Sequence, residues 1–339
     1  MLVFIGSDKN RWRSIYLEIY FVSSLDFESA FEAMYHGKHD FEDFKSGEIL
    51  SKYRALVFKK KKVYEAGADL KVYHKFLSLF VFQWLEFNER CVYSYRKGMN
   101  VVDAVKKHAN SKHFFQTDLN DFFGSIQGDL VKLCIRGSLD RIPISDVSSY
   151  IDRVVDLVTV ENKLPIGFST SPLISNACLL PFDNALEAYC NHSGLVYTRY
   201  SDDVIISGGD SKLYGIEKVV EYTLAQCYGG DFTINSAKTK FSSAGNKVKI
   251  LGMMILPNGT ITIDTKLKSD IEVMLHFFIK DKQRFMDKVD AEGTAAALAK
   301  VSGYLNYINT TDPAYLNKLR KKYGASVVDM FIRGSVKSL

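Results

Sequence analysis

Residues 195–209 read LVYTRYSDDVIISGG, two runs rich in β-branched and aromatic residues on either side of Ser201-Asp202-Asp203. This pattern predicts a hairpin with the two aspartates at its tip. Adjacent carboxylates repel one another, and a turn of like charges is costly unless a cation offsets it. Asp is common in turns for local reasons as well, so the pair alone leaves an ordinary acidic turn open. A third acid, Asp118, stands near the end of the aromatic, β-rich stretch His113 to Leu119. Magnesium, a hard cation held by a few carboxylates plus substrate phosphates, is the usual reason for such a cluster. Two such ions would activate an attacking hydroxyl and stabilise the leaving oxygen of an in-line phosphoryl transfer.

Outward from that stretch, the chain is ordinary globular material of 339 residues, 47% hydrophobic and 24% charged, which excludes disorder. Its length suggests about two domains. The net charge of +5 divides unevenly: residues 1–117 carry +5, residues 118–265 carry −5 and residues 266–339 carry +5. One reading is scatter; the other is a metal-binding centre between two surfaces that hold a polyanion. MLVFIGSDKN lacks the basic start and apolar run of a secretory signal. The run Phe76 to Leu85 is too interrupted to span a membrane, so it reads as a core helix and no membrane partner is expected. Cys91, Cys134, Cys178, Cys190 and Cys227 form no CxxC pair, which argues against a disulfide framework and fits a reducing cytoplasm. A zinc site on His36 and His39 lacks a second ligand pair, so a loop is the better reading.

FESAFEAMYHGKHDFEDF (27–44) carries aromatic residues at roughly helical spacing. RALVF, the lysine run 59–62 and VYEAGADL suggest a hairpin with a Gly-containing turn. Helices are expected from about Leu70 to Glu89, over Val101 to Asn110 behind an Asn100 cap, and over 173–191 with a bend at Pro181. Another should cover Glu217 to Gln226. Lys247 to Leu256 reads as a strand, ILPNGTITI as a hairpin on a Pro-Asn-Gly turn, and the chain from Lys266 onward as helical.

Three stretches give the acids their context: FQTDLNDFFGSI from Phe115 to Ile126, LPIGFSTSPLISN from Leu164 to Asn176, and TRYSDD from Thr198 to Asp203. In order and separation they resemble motifs A, B and C of reverse transcriptases, nearest to the bacterial retron and group II intron type. INSAKT (234–239) is similar to the family's motif D, ILGM (250–253) to its primer grip, and SGYLNYINTTDPAYLNKL (302–319) to a retron-like thumb pattern. The resemblance implies an α+β right-hand polymerase fold: an N-terminal region and fingers at 1–113, a palm at 114–256 with part of the fingers inserted near 127–163, and a helical thumb at 257–339. It implies an RNA-directed DNA polymerase with two Mg2+ ions, or Mn2+, on Asp118, Asp202 and Asp203, the Leu119 carbonyl serving as an extra ligand.

By the same resemblance Phe122, Phe123, Gly167, Phe168 and Lys238 would meet the nucleotide. Phe123 would close against the sugar and select deoxynucleotides, Gly167 would permit close backbone approach, and Lys238 would neutralise or protonate the leaving pyrophosphate. Ser171, Pro172, Asn176 and Gly252 would meet template and primer. The implied partners are deoxynucleotides, an RNA template that could be a cognate non-coding RNA, the DNA product, and a partner protein or second copy of the chain. Two departures stand out. Ile166 replaces the glutamine of LPQG enzymes, and the usual fingers Arg-Ile-Pro pattern is absent, leaving Lys59 to Lys62 or Lys71 as substitutes. The compact chain is more similar to defence-associated reverse transcriptases of the unknown groups than to mobile elements. Alternatives are a retron enzyme making RNA-linked DNA, untemplated or tyrosine-primed synthesis, and a non-catalytic nucleic-acid binder. A nucleotidyl cyclase, on Gly229-Gly230-Asp231-Phe232, is one acid short.

Overall fold

The computed structural model describes residues 25–59, 61–209, 213–243, 245 and 247–334; the MLVFIGSDKN segment and Lys60 lie outside them. The chain divides into two compact units, each discontinuous in sequence. Every sheet among the described residues is antiparallel and is combined with many helices, the expected α+β class. No helix among them is long and apolar enough to cross a membrane.

The first unit comprises the chain up to Tyr95, Leu119–Leu186 and Val220–Ile234. Helix Phe27–Tyr35 starts on Asp26, whose carboxylate accepts the Ser29 N–H, and helix Phe41–Ser46 starts in the same way on Asp40. Their aromatic faces meet Phe76: the ring centroids of Phe27, Phe31 and Phe44 lie 5.2–5.8 Å from that of Phe76. Strands β1 (Tyr53–Phe58) and β2 (Lys61–Ala66) form a hairpin with Phe58 opposite Lys61. The chain therefore reverses between Phe58 and Lys61, not at the glycine as the sequence suggests. Lys59 supplies the positive φ of 46°, while Gly67 caps helix Ala68–Phe80 and donates its N–H to the Lys52 carbonyl at 2.7 Å.

That helix also stops nine residues short of Glu89. The Trp84 indole and the Gln83 amide both donate to the Leu79 carbonyl, satisfying an acceptor that a continuing helix would need, and a 3₁₀ turn follows at Phe82–Trp84. The expected bend near Pro181 is a break between helices Ser171–Cys178 and Leu180–His192. The Cys134 and Cys178 sulfurs lie 3.3 Å apart without a disulfide, a proximity that the spacing of the cysteines does not disclose.

The second unit comprises Arg96–Asp118, Glu187–Val219 and the chain from Asn235 onward. Its main sheet contains β3 (His113–Asp118), β4 (Val196–Tyr200), β5 (Asp203–Gly208) and β6 (Lys240–Ser243) in the order β4-β5-β3-β6. Helix Val101–Lys107 begins with a reciprocal Asn100–Asp103 capping box. It ends before the expected Asn110 because His108 is fully buried, its two ring nitrogens 2.6 Å from the Ser207 hydroxyl and 2.7 Å from that of Thr198.

Lys247 to Leu256 is not one strand but β7 (Val248–Ile250) and β8 (Met253–Ile255), reversed at Leu251-Gly252 with φ of 48° and 83°. Two consecutive positive φ values are what a two-residue hairpin loop requires. After the Pro-Asn-Gly turn, β9 (Ile261–Ile263) completes this small sheet. Helices Thr265–Lys280, Lys282–Val289, Thr294–Thr311, Pro313–Tyr323 and Ala325–Ile332 follow, packed on Leu275, Phe285, Val301, Leu305, Leu316 and Phe331.

Candidate active site

The three acids lie at the same end of the main sheet. Asp118, the last residue of β3, is the register partner of Asp203, the first residue of β5. Like charges directly opposite each other on neighbouring strands are destabilising, so this pairing is not explained by stability. Tyr200 pairs with Asp203, leaving Ser201-Asp202 as a two-residue loop. Ser201 has φ of 59°, a position where such loops favour glycine.

The segment after Ile234 brings one countercharge to the site. The Asn235 N–H donates to the Asp118 carbonyl at 2.8 Å, and the Lys238 N–H donates to the Asn235 carbonyl at 2.9 Å. That turn brings the Lys238 ammonium 2.7 Å from Asp118 Oδ2. The Asp118 side chain is only 10% exposed and that of Lys238 is 65% exposed, so the lysine reaches in from solvent. Hydrogen bonding to Asp118 raises the Lys238 pKa above its ordinary value, with Coulombic help from all three aspartates. Burial, then the Asp202 and Asp118 charges, push the Asp203 carboxyl up to about 6, against a smaller opposing effect of Lys238.

Among the described residues, no three His, Cys, Asp or Glu side chains converge into a ready-made metal cage. The donors that Asp118, Asp202 and Asp203 offer are all carboxylate oxygens, a donor set that fits a hard cation such as Mg2+.

Gly252 lies in the same unit, at the β7–β8 turn, where a Cβ would approach the Tyr307 hydroxyl. The remaining candidates belong to the other unit. Leu119 is buried and bridges Ile234. The Phe122 and Phe123 rings are tilted with centroids 5.2 Å apart; Phe122 is buried and Phe123 half-buried. Gly167 adopts φ of 112°, and a Cβ there would collide with the Tyr64 carbonyl. The close backbone approach read from its sequence is thus made to β2 of this chain, where the Tyr64 N–H also donates to the Ile166 carbonyl at 2.7 Å.

Phe168 is buried against the His74 ring, centroids 4.7 Å apart. The Ser171 hydroxyl donates to the Pro165 carbonyl at 2.8 Å, Pro172 occupies the first turn of its helix, and the Asn176 amide donates to the Ser94 carbonyl at 2.8 Å. The side chains of Phe168, Ser171 and Asn176 are therefore buried and engaged in contacts within the protein.

Two rival readings have structural explanations. Gly229 and Gly230, with φ of 64° and 117°, follow helix Ile216–Tyr228 and reverse the chain, and Phe232 is buried. His36 is the left-handed C-cap of its helix. Sequence reasoning assigned no role to Arg199, the largest fully buried side chain among the described residues. Its only signal was a charge within an otherwise uncharged β run.

A family described as reverse transcriptase (RNA-dependent DNA polymerase) matches residues 57–255. Retron Ec73 reverse transcriptase of Escherichia coli is 29% identical over 276 residues, covering 77% of this chain and 82% of that protein. Retron Ec83 reverse transcriptase of Escherichia coli is 24% identical over 242 residues, covering 69% and 74%. Retron Mx65 reverse transcriptase of Myxococcus xanthus is 23% identical over 237 residues, covering 66% and 52%. Among solved structures, telomerase from Candida albicans in complex with a telomeric RNA fragment aligns at a TM-score of 0.42 and 10% identity, covering 80% of this chain and 54% of that one. A foamy viral protease-reverse transcriptase in complex with an RNA/DNA hybrid aligns at 0.38 and 16%, covering 67% and 28%.

Proposed function

Because this chain belongs to the reverse transcriptase family and is an RNA-directed DNA polymerase of retron type, we propose that Asp118, Asp202 and Asp203 form its catalytic centre and hold two Mg2+ ions. The observation that carries the reading is the placement of Asp118 directly opposite Asp203, with Asp202 in the adjoining loop. When bound, the ions supply Lewis-acid activation of the primer hydroxyl and charge neutralisation on the triphosphate. The chain's own residues do the rest. The β3–β6 sheet acts as the palm, presenting the carboxylates at the ends of rigid strands. Lys238, which reaches in from solvent beside Asp118, would neutralise the leaving pyrophosphate or donate its Nζ proton to it. Phe123 bars a 2′-hydroxyl, the β1–β2 hairpin with its lysines serves as fingers, and the helices after Thr265 serve as thumb. Residues 57–255 hold the family match and the acids together; similarity to retron reverse transcriptases supports a retron-type enzyme, whose template would be a cognate structured RNA and whose role would be anti-phage defence.

The test is labelled deoxynucleotide incorporation by purified protein with its co-purifying RNA and Mg2+ or Mn2+. Asp202→Asn is expected to lower incorporation by about 100-fold or more. No incorporation by the parent protein, or full activity in the variant, overturns the assignment. Sequencing the bound nucleic acid distinguishes a single cognate RNA joined to DNA from a mixed template population.

A further inference from the structure

Arg199 lies in β4 opposite Val204 of β5, with no exposed surface. A guanidinium so placed is costly unless its donors are used. Its Nη1 donates to the Ser201 carbonyl at 3.0 Å, two residues along the same chain. Ser201 is itself buried and holds φ of 59°, a conformation that disfavours residues with a Cβ. A serine is not kept there by its own preference. The peptide bond joining Ser201 to Asp202 is planar, so anchoring the Ser201 carbonyl also sets the direction of the Asp202 N–H and the path of the chain into Asp203. A charge-assisted bond from a planar, immobile donor suits this task.

We propose that Arg199 is a positioning residue: it holds the strained Ser201-Asp202 loop from inside the sheet and so determines where the Asp202 and Asp203 carboxylates stand relative to Asp118. This rests on the catalytic assignment above, but the loop-holding role is separately measurable. If the guanidinium offsets the strain at Ser201, a glycine at that position should make it less necessary, and the two substitutions should be coupled rather than additive.

The experiment compares the full chain with Arg199→Lys, Ser201→Gly and the double variant. Amide hydrogen exchange is followed without divalent ions, and kcat and KM for deoxynucleotide are measured with them. Arg199→Lys is expected to speed exchange at the Asp202 and Asp203 amides by about tenfold or more while Phe115, mid-strand in β3, keeps its protection. It should lower kcat by about 10- to 100-fold with KM changed less than about threefold. Adding Ser201→Gly should restore both to within about threefold of Ser201→Gly alone.

Independent effects of the two substitutions overturn the proposal, as does loss of protection across β3 with no selective change at the loop. If Arg199→Lys does not fold, folding of the double variant supports the proposal and its failure overturns it. A chain inactive in every form refutes the catalytic assignment, while the exchange coupling still decides the role of Arg199.

Discussion

Asp203 carries the sharpest consequence at the scale of single residues. Its folded-state pKa, raised to about 6, lies above the ordinary carboxylate value, so the folded chain retains a proton that the unfolded chain has released. For this group stability is therefore greatest below the unfolded pKa and is lost as pH rises from about 4 through 6. Asp203→Asn should stabilise the protein without divalent ions by about 1 kcal/mol near pH 7.5, after allowance for solvent screening, and flatten the pH dependence of its thermal midpoint. The same change should abolish incorporation, a stability gain bought by removing a functional charge. An unchanged midpoint at both pH 5 and pH 7.5 would show that Asp203 ionises without penalty. Phe123 is half-buried beside Phe122. Phe123→Ala should increase ribonucleotide use relative to deoxynucleotides by about tenfold or more; unaltered sugar selection in competition assays would refute the gate.

Elements were legible wherever short-range chemistry decides them. The acidic hairpin tip, the Asn100 cap and the Pro-Asn-Gly turn follow from residues within a few positions of one another. The β1–β2 turn and the end of helix Ala68–Phe80 were misplaced because remote or side-chain partners decided them: Gly67 is held by the Lys52 carbonyl, and the Leu79 carbonyl is taken by two side chains. Gly167 combines both influences, since its φ is local but its close neighbour is the Tyr64 carbonyl of β2. Gly167→Ala should cost about 2–3 kcal/mol, from positive φ and a backbone collision that cannot relax cheaply. Urea denaturation measures this; a change below about 0.5 kcal/mol would mean that the hairpin yields freely.

At the scale of the whole molecule, the modest charge of +5 is a sum of basic flanks and an acidic middle that contains the three aspartates. Binding through the flanks to a nucleic-acid backbone releases counterions, so affinity for a template–primer duplex should fall by about tenfold or more between about 50 and 200 mM salt. Affinity that is flat across this range, measured by fluorescence anisotropy, would show that the basic flanks do not contact the backbone. The α+β class, the family resemblance and the three candidate acids were all legible along the chain, because alternation, caps and short motifs are properties of neighbouring residues. Folding alone sets Asp118 opposite Asp203, brings Lys238 to Asp118, lays Gly167 against β2 and buries Arg199 beside the acidic loop. Strand register, burial and charge proximity arise between segments far apart along the chain. No local pattern specifies which of these segments will meet.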